Sequence, residues 1–439
     1  MTSLASLPDK VLTGGWNVLQ RRLNRSDIQA YCLMILAVYA VLLSISFATQ
    51  VTGRTIFGPQ LGADFGAFYI AGRIYNTVGP ARIYDRALHH QVYRELFPAA
   101  PADEELPYLN APFFIAPFPL LARLPYAWAY LCWFLLSLGL YVAGFSLLWR
   151  SLQGWPVNGF PVALLLALSF MPFLVECLAG GQTSAIGFFS LALALSCEQQ
   201  GSARAKLLGG LALALCWYKP TLFVLLLPML VLTRRWAMFG GWLLGTLALA
   251  LLSWLLVGTQ GCQNYLRILF LFADASANSA TFFKSWKYVD LNSFARALFG
   301  AQSALRWMSV VLVVTLALPW FALVWWRTAH ARAEYQPLVW AGTISATLVF
   351  NIYLGIYDVT LVVLSVMLTA SVLYRWANRR SFTFPTAYKL ILVALYLVPW
   401  VTQPIARMIG VQLLTLVLLW LTIYQFNLLG EAAPRTRSI

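Results

Sequence analysis

The sequence predicts an all-α polytopic membrane protein, a bundle of about twelve transmembrane helices with an elaborated first outer loop. Three observations lead there. The 439 residues are 61% hydrophobic and only 10% charged, which leaves too few polar groups to cover a soluble domain. Apolar runs of about 20 residues, the length that crosses a bilayer, recur from one end to the other. The short alternating segments of a β-barrel are missing.

Taken in order, residues 1–29 read as a cytosolic amphipathic lead-in without a cleavable signal pattern, so the first span is retained as an anchor. Spans are expected at 30–49, 125–149, 158–178, 183–197, 206–218, 219–233, 236–257, 304–327, 336–351, 358–374, 385–400 and 408–426. Residues 30–426 thus form one membrane domain and 427–439 a cytosolic tail. Several of these spans are short for a bilayer. Residues 206–233 would make a single long helix but for Lys219-Pro220, where Pro220 lacks an N–H and clashes with the preceding turn. Arg204 and Lys206 flank one end of this stretch, Arg234 and Arg235 the other. Both pairs sit in the cytoplasm only if the chain goes in and comes back.

The net charge of +15 is spread through short loops, the pattern of membrane orientation and anionic headgroups rather than of nucleic acid. Arg21, Arg22, Arg25, Arg150, Arg204, Lys206, Arg234, Arg235, Arg327, Arg332, Arg375, Arg379, Arg380, Arg435 and Arg437 fall on one side. That side is the expected cytoplasm, with both termini. Loops 50–124 and 258–303 then face the other compartment. No soluble domain is expected at either end, so any chemistry belongs to the bundle and these two loops. The six Cys lie mostly in apolar runs, without metal spacing, and read as small core residues. No internal repeat is evident, which counts against a transporter built from repeated halves.

Within loop 50–124, helices are expected at 65–77 and 84–97, of a kind that can lie in the interfacial plane. Asp64 precedes the first of them, in the run Gly62 to Tyr69 (GADFGAFY). It admits two readings: an N-cap for the helix starting at Phe65, or a carboxylate held at the membrane surface as a general base. His89 and His90, adjacent on a helix and so about 100° apart, read as surface residues rather than ligands of one metal. Glu176 lies near the outer boundary, where a carboxylate is costly unless paired or wet. It is followed by Gly180-Gly181-Gln182, a tight outer turn whose Gln182 offers donor and acceptor to a polar ligand; the simple alternative is a hairpin turn. Lys219, at the outer tip of two short helices, either snorkels or pairs with an anion such as a lipid-linked phosphate. Lys284, Lys287, Arg407 and Tyr357-Asp358 are further candidates for that duty, or solvated loop groups.

These residues resemble glycosyltransferase family 87, polyprenyl-phosphate-sugar-dependent enzymes of the GT-C superfamily that include mycobacterial mannosyltransferases. The resemblance is carried by Asp64-Phe65 with Tyr69, Ile83-Tyr84-Asp85, the Pro-rich segment Tyr108 to Pro119, Gly181-Gln182, and Leu207 to Pro220 ending in Lys219-Pro220. It implies a polyprenyl-phosphate sugar donor and inversion at the anomeric carbon. It also implies a multi-pass protein of a bacterial plasma membrane with its site facing the periplasm. Asp64 would be the general base. Lys219 and Arg407 would hold the donor phosphate, and Tyr69, Glu176, Gln182, Tyr357 and Asp358 would bind substrate. The acceptor would be a lipid-linked or glycan hydroxyl. A monophosphate leaving group, sparse acids and no Asp-x-Asp motif lead to the expectation of a metal-independent enzyme with no cofactor. The rival reading is a twelve-span transporter or lipid flippase. It explains the spans but not an acid at the head of an elaborated outer loop, nor charges gathered at outer span ends.

Overall fold

Several of the helices begin where short polar side chains satisfy their first N–H groups. Asn24 accepts from the Asp27 N–H at 2.9 Å and starts α1, Arg25–Thr49. Asp85, Ser202 and Ser303 do the same for later helices. The computed structural model describes residues 24–50, 55–56, 58, 60–101, 105–152, 157–278, 284–329, 335–377 and 383–432. The expected lead-in before residue 24 and the tail from 433 lie outside them.

After α1 come α2 (Phe65–Thr77), α3 (Arg86–Leu96), α4 (Tyr126–Ser151) and α5 (Phe160–Leu168). A π-helical segment, Pro172–Ala179, follows α5. Next are α6 (Ser184–Gln199), α7 (Ala203–Ala214), α8 (Phe223–Leu232) and α9 (Trp236–Asn278), which bends at Gly258. The chain ends with α10 (Leu291–Phe299), α11 (Ala304–Thr328), α12 (Gln336–Val349), α13 (Val362–Trp376), α14 (Thr386–Leu397), α15 (Pro399–Ile409) and α16 (Leu413–Ala432). Among the described residues, β-pairing is limited to two isolated bridges, Thr55 with Gly58 and Tyr288 with Gly355.

Among the described residues, six helices are long and apolar enough to cross a membrane, and up to eight spans result if each of two bent pairs counts as one. The protein is therefore an all-helical, multi-pass membrane protein, with fewer full-length spans than the twelve expected. The shortfall lies in α6, α7, α8 and α12, of 16, 12, 10 and 14 residues. At 1.5 Å per residue these reach roughly 15–24 Å, against about 30 Å of hydrocarbon. The break at Lys219-Pro220 nevertheless returns the chain. Arg235, past the end of α8, pairs with Glu198 at the end of α6, while Ser184 and Lys219 meet on Asp358 at the other end.

Two departures concern the loops. Helix α2 is not an interfacial surface helix. Phe65 to Gly72 are buried, and Phe65 and Phe68 are packed among Phe114, Phe118, Tyr126, Tyr130 and Trp133. His89 of α3 is likewise buried, with Nε2 2.8 Å from the Ile83 carbonyl, rather than at the surface. Beyond Gly258 the expected loop begins as a helix, since α9 runs on to Asn278. Cys32, Cys177, Cys197 and Cys216 are buried and unbridged, as small core residues should be. Helices α1 and α11 keep large apolar side chains exposed, Met34, Val41, Leu312 and Leu316 among them, which suits lipid rather than water.

Candidate active site

The site gathers around the turn between the π-helical segment and α6. Gly181 has φ +74°, and a Cβ there would lie 2.7 Å from the Phe65 Cβ, so only glycine lets the turn press against the start of α2. The Asp64 N–H donates to the Gly180 carbonyl at 3.0 Å, tying the two segments together. This contact delivers Gln182 to Asp64, whose Oδ2 accepts from Gln182 Nε2 at 2.6 Å. Asp64 stands at the N-terminus of α2 but makes no side-chain cap there.

A second cluster adjoins the first. Asp358 is fully buried. Its Oδ1 accepts from Ser184 Oγ at 2.8 Å, and its Oδ2 forms an ion pair with Lys219 Nζ. Lys219 Nζ also sits 3.5 Å from Tyr357 Oη and 4.7 Å from the centre of that ring. Asp64, Glu176 and Asp358 are all near enough to Tyr357 for their charges to act on it. Glu176, on the π-helical segment, accepts from Gln403 Nε2 at 2.6 Å. π-Helical turns are frequent at functional sites because they re-aim one side chain out of helical register. Gln182, Asp64, Glu176, Lys219, Tyr357 and Asp358, from four separate stretches of chain, thus converge. Among the described residues, no three His, Cys, Asp or Glu side chains gather as a metal-binding group.

Tyr69 and Arg407 stand apart from this cluster. Tyr69 is buried in the aromatic packing of α2, with its hydroxyl donated to the Leu124 carbonyl at 2.8 Å. Arg407 is exposed on α15, its guanidinium over the Trp286 ring at 5.8 Å. Asp290, in the second of the expected outer loops, is a buried helix cap. It accepts from the Ser293 N–H and Oγ and from the Leu354 N–H, at 2.8–2.9 Å. Burial still raises the Asp290 carboxyl above its usual range, against the hydrogen bonds that lower it. Sequence reasoning missed Ser184 and Gln403. Neither carries a motif, and each is recognised only by the carboxylate it meets.

The family model for glycosyltransferase family 87 matches residues 108–354, more than half of the chain. The chain belongs to glycosyltransferase family 87. No curated protein matches it, and no solved structure does. Family 87 membership makes this a membrane glycosyltransferase, acting with a lipid-linked sugar donor and an acceptor in a membrane. It decides against the transporter and flippase reading. The family 87 match begins after Asp64 and ends just before Tyr357 and Asp358, so the cluster draws on both flanks of the matched segment.

Proposed function

We propose that the chain transfers a sugar, of the hexosyl or mannosyl type, from a polyprenyl-phosphate donor to a hydroxyl of a lipid-linked or glycan acceptor, with inversion. The observation that carries this is the placement of Asp64. Its carboxylate is steered by Gln182, makes no cap to its own helix, and neighbours a buried lysine pair. In this reading Asp64 takes the acceptor proton as the new oxygen–carbon bond forms and the bond from the anomeric carbon to the phosphate oxygen breaks. The leaving group departs as polyprenyl phosphate. Gln182 fixes the base by donating to Oδ2.

Lys219 meets the phosphate. An ammonium has three N–H donors, of which one goes to Asp358 and another is within reach of Tyr357. The third serves a phosphate oxygen, in a site walled by Tyr357 where charge stabilisation is strong. Asp358 then acts mainly by holding Lys219. Glu176 with Gln403 faces the acceptor side, and Arg407 binds the donor phosphate during entry from the surface. The bundle is read as twelve apolar segments, the short ones α6, α7, α8 and α12 included, with both termini cytosolic and the site facing the periplasm of a bacterial plasma membrane. The mechanism uses no metal and no cofactor.

The test is Asp64→Asn, which keeps size and hydrogen bonding but removes basicity. Transfer should fall by roughly 10²–10⁴-fold, the usual worth of a general base, while donor binding persists. Near wild-type turnover would leave Asp64 without a catalytic role. Lys219→Ala should weaken donor binding, and activity should survive excess EDTA; loss restored by added magnesium would reinstate a metal.

A further inference from the structure

The segment just before α10, a single 3-10 turn (Ser285–Lys287) followed by Tyr288 and Val289, is tightly held. On one side the Val289 N–H donates to the Leu354 carbonyl at 2.9 Å, and Tyr288 forms an antiparallel bridge with Gly355. Asp290 fastens the same junction through the Leu354 N–H. On the other side Thr415 Oγ1 donates to the Val289 carbonyl at 2.8 Å and Gln412 Nε2 to the Trp286 carbonyl at 2.9 Å. Backbone groups of a loop need partners when water is excluded, so these contacts fix its position and not merely its existence.

The anchoring point adjoins the site. Gly355 lies so close under the Tyr357 ring that a Cβ there would be 2.4 Å from that ring. The same ring carries Lys219 Nζ. Tyr353, whose ring centre is 6.4 Å from that of Tyr288, has φ +63°, a conformation that few non-glycine residues adopt. Such strain is held in place only by surrounding contacts and clusters at binding and catalytic sites.

From this placement we propose that Tyr288 is a wall of the active site and donates its phenolic O–H to the departing phosphate of the donor, beside Lys219. The inference rests on the transferase reading above. Burial holds the Tyr288 phenol above its ordinary value, and the Tyr357 phenol adds to this; Lys219 pulls the other way, and Asp64 and Asp290 again raise it. The group is therefore a neutral donor at physiological pH. In the transfer step it gives up no proton. It hydrogen-bonds the phosphate oxygen as the bond to the anomeric carbon breaks, so its contribution grows as negative charge gathers there.

The experiment is Tyr288→Phe in the purified full-length enzyme, which removes one O–H and leaves the ring against Tyr353. A hydrogen bond to a charged group predicts a fall in kcat of about 10- to 100-fold. Polyprenyl phosphate, used as product inhibitor, should lose affinity by a similar factor, and the acceptor KM should hold within about twofold. Incorporation of 3-fluorotyrosine at 288 keeps the fold and strengthens the donor, so inhibitor affinity should rise. Unchanged inhibition in both variants overturns the proposal, and so does a change confined to the acceptor KM. Wild-type turnover in Tyr288→Phe alongside an inactive Asp64→Asn sinks the role of Tyr288 alone. Wild-type turnover in both sinks the reading on which it rests.

Discussion

The ion pair between Lys219 and Asp358 yields an asymmetric prediction. Asp358 has no exposed side-chain surface, whereas Lys219 keeps 16% of its own. Removing one partner of a buried pair costs about 3–5 kcal/mol, because an uncompensated charge stays behind. The two single variants should fall at opposite ends of that range. In Asp358→Asn the amide oxygen can still accept from Ser184, and Lys219 can turn toward water along its partly exposed side, so about 3 kcal/mol is expected. In Lys219→Met the carboxylate is sealed in with only the Ser184 hydroxyl, and about 5 kcal/mol is expected. The double variant has no charge to strand and should be clearly more stable than Lys219→Met alone, while on the proposed role of Lys219 it should lose donor binding. The assay is SDS titration in mixed micelles, followed by the fluorescence of the 18 tryptophans. Equal single costs would refute the asymmetry, and a double cost equal to their sum would refute the coupling, since additivity means that neither variant strands a charge.

Gly181→Ala should lose about 1–2 kcal/mol from the left-handed backbone and about 1–3 kcal/mol from overpacking against Phe65. Activity should drop by more than the folded fraction does, because Gln182 shifts off Asp64; proportional losses would mean that the turn is only structural. Sidedness is checked by single cysteines in a background lacking the native ones, since Cys132 is exposed. Cysteine at Thr259 or Met408 should react with an impermeant reagent applied outside intact cells, and cysteine at Ser202 only once the membrane is opened. All three positions are exposed. The reverse pattern overturns the orientation.

Much of this was legible in sequence, because apolar length and proline position are local signals. Helix α2 starts and ends where its pattern predicts, at Phe65 and Thr77. The return of the chain at Pro220 followed from where the arginines lie, and the Arg235–Glu198 pair agrees with it. The two possible readings of Asp64 were not separable in the same way. The cap reading falls away only once the side chain is seen to leave its own helix for a partner 118 residues away, and the base reading stays a proposal. Asp290 shows the converse. Its position suggested the site, but its lone pairs are taken up by local N–H and hydroxyl donors. The helical stretch after Gly258 was hidden because the left-handed backbone at that glycine ends one helix where the span was expected to end, and a second helix starts directly beyond it. Burial of α2 was hidden too, since the aromatic side chains that cover it come from residues 114 to 133.

The short helices have their own logic. Helix α6 meets an ion pair near each end: Ser184 reaches Asp358, which pairs with Lys219, and Glu198 reaches Arg235. Its 16 residues make it about 24 Å long, an upper bound on the rise between the two if the helix stands upright. Charges are costly in the middle of a bilayer and tolerable toward its faces, which favours this spacing. Yet about 24 Å is less than the roughly 30 Å of hydrocarbon. With the Arg235 cluster at the cytosolic boundary, as the orientation proposes, Lys219 sits several ångströms below the opposite surface. A prenyl phosphate has its tail in hydrocarbon and its phosphate at the boundary, so a site sunk to that level receives the phosphate without pulling the tail into water. On this argument the shortness of α6 and α8 sets the depth of the catalytic cluster, and lengthening either helix by one turn would carry Lys219 away from the donor.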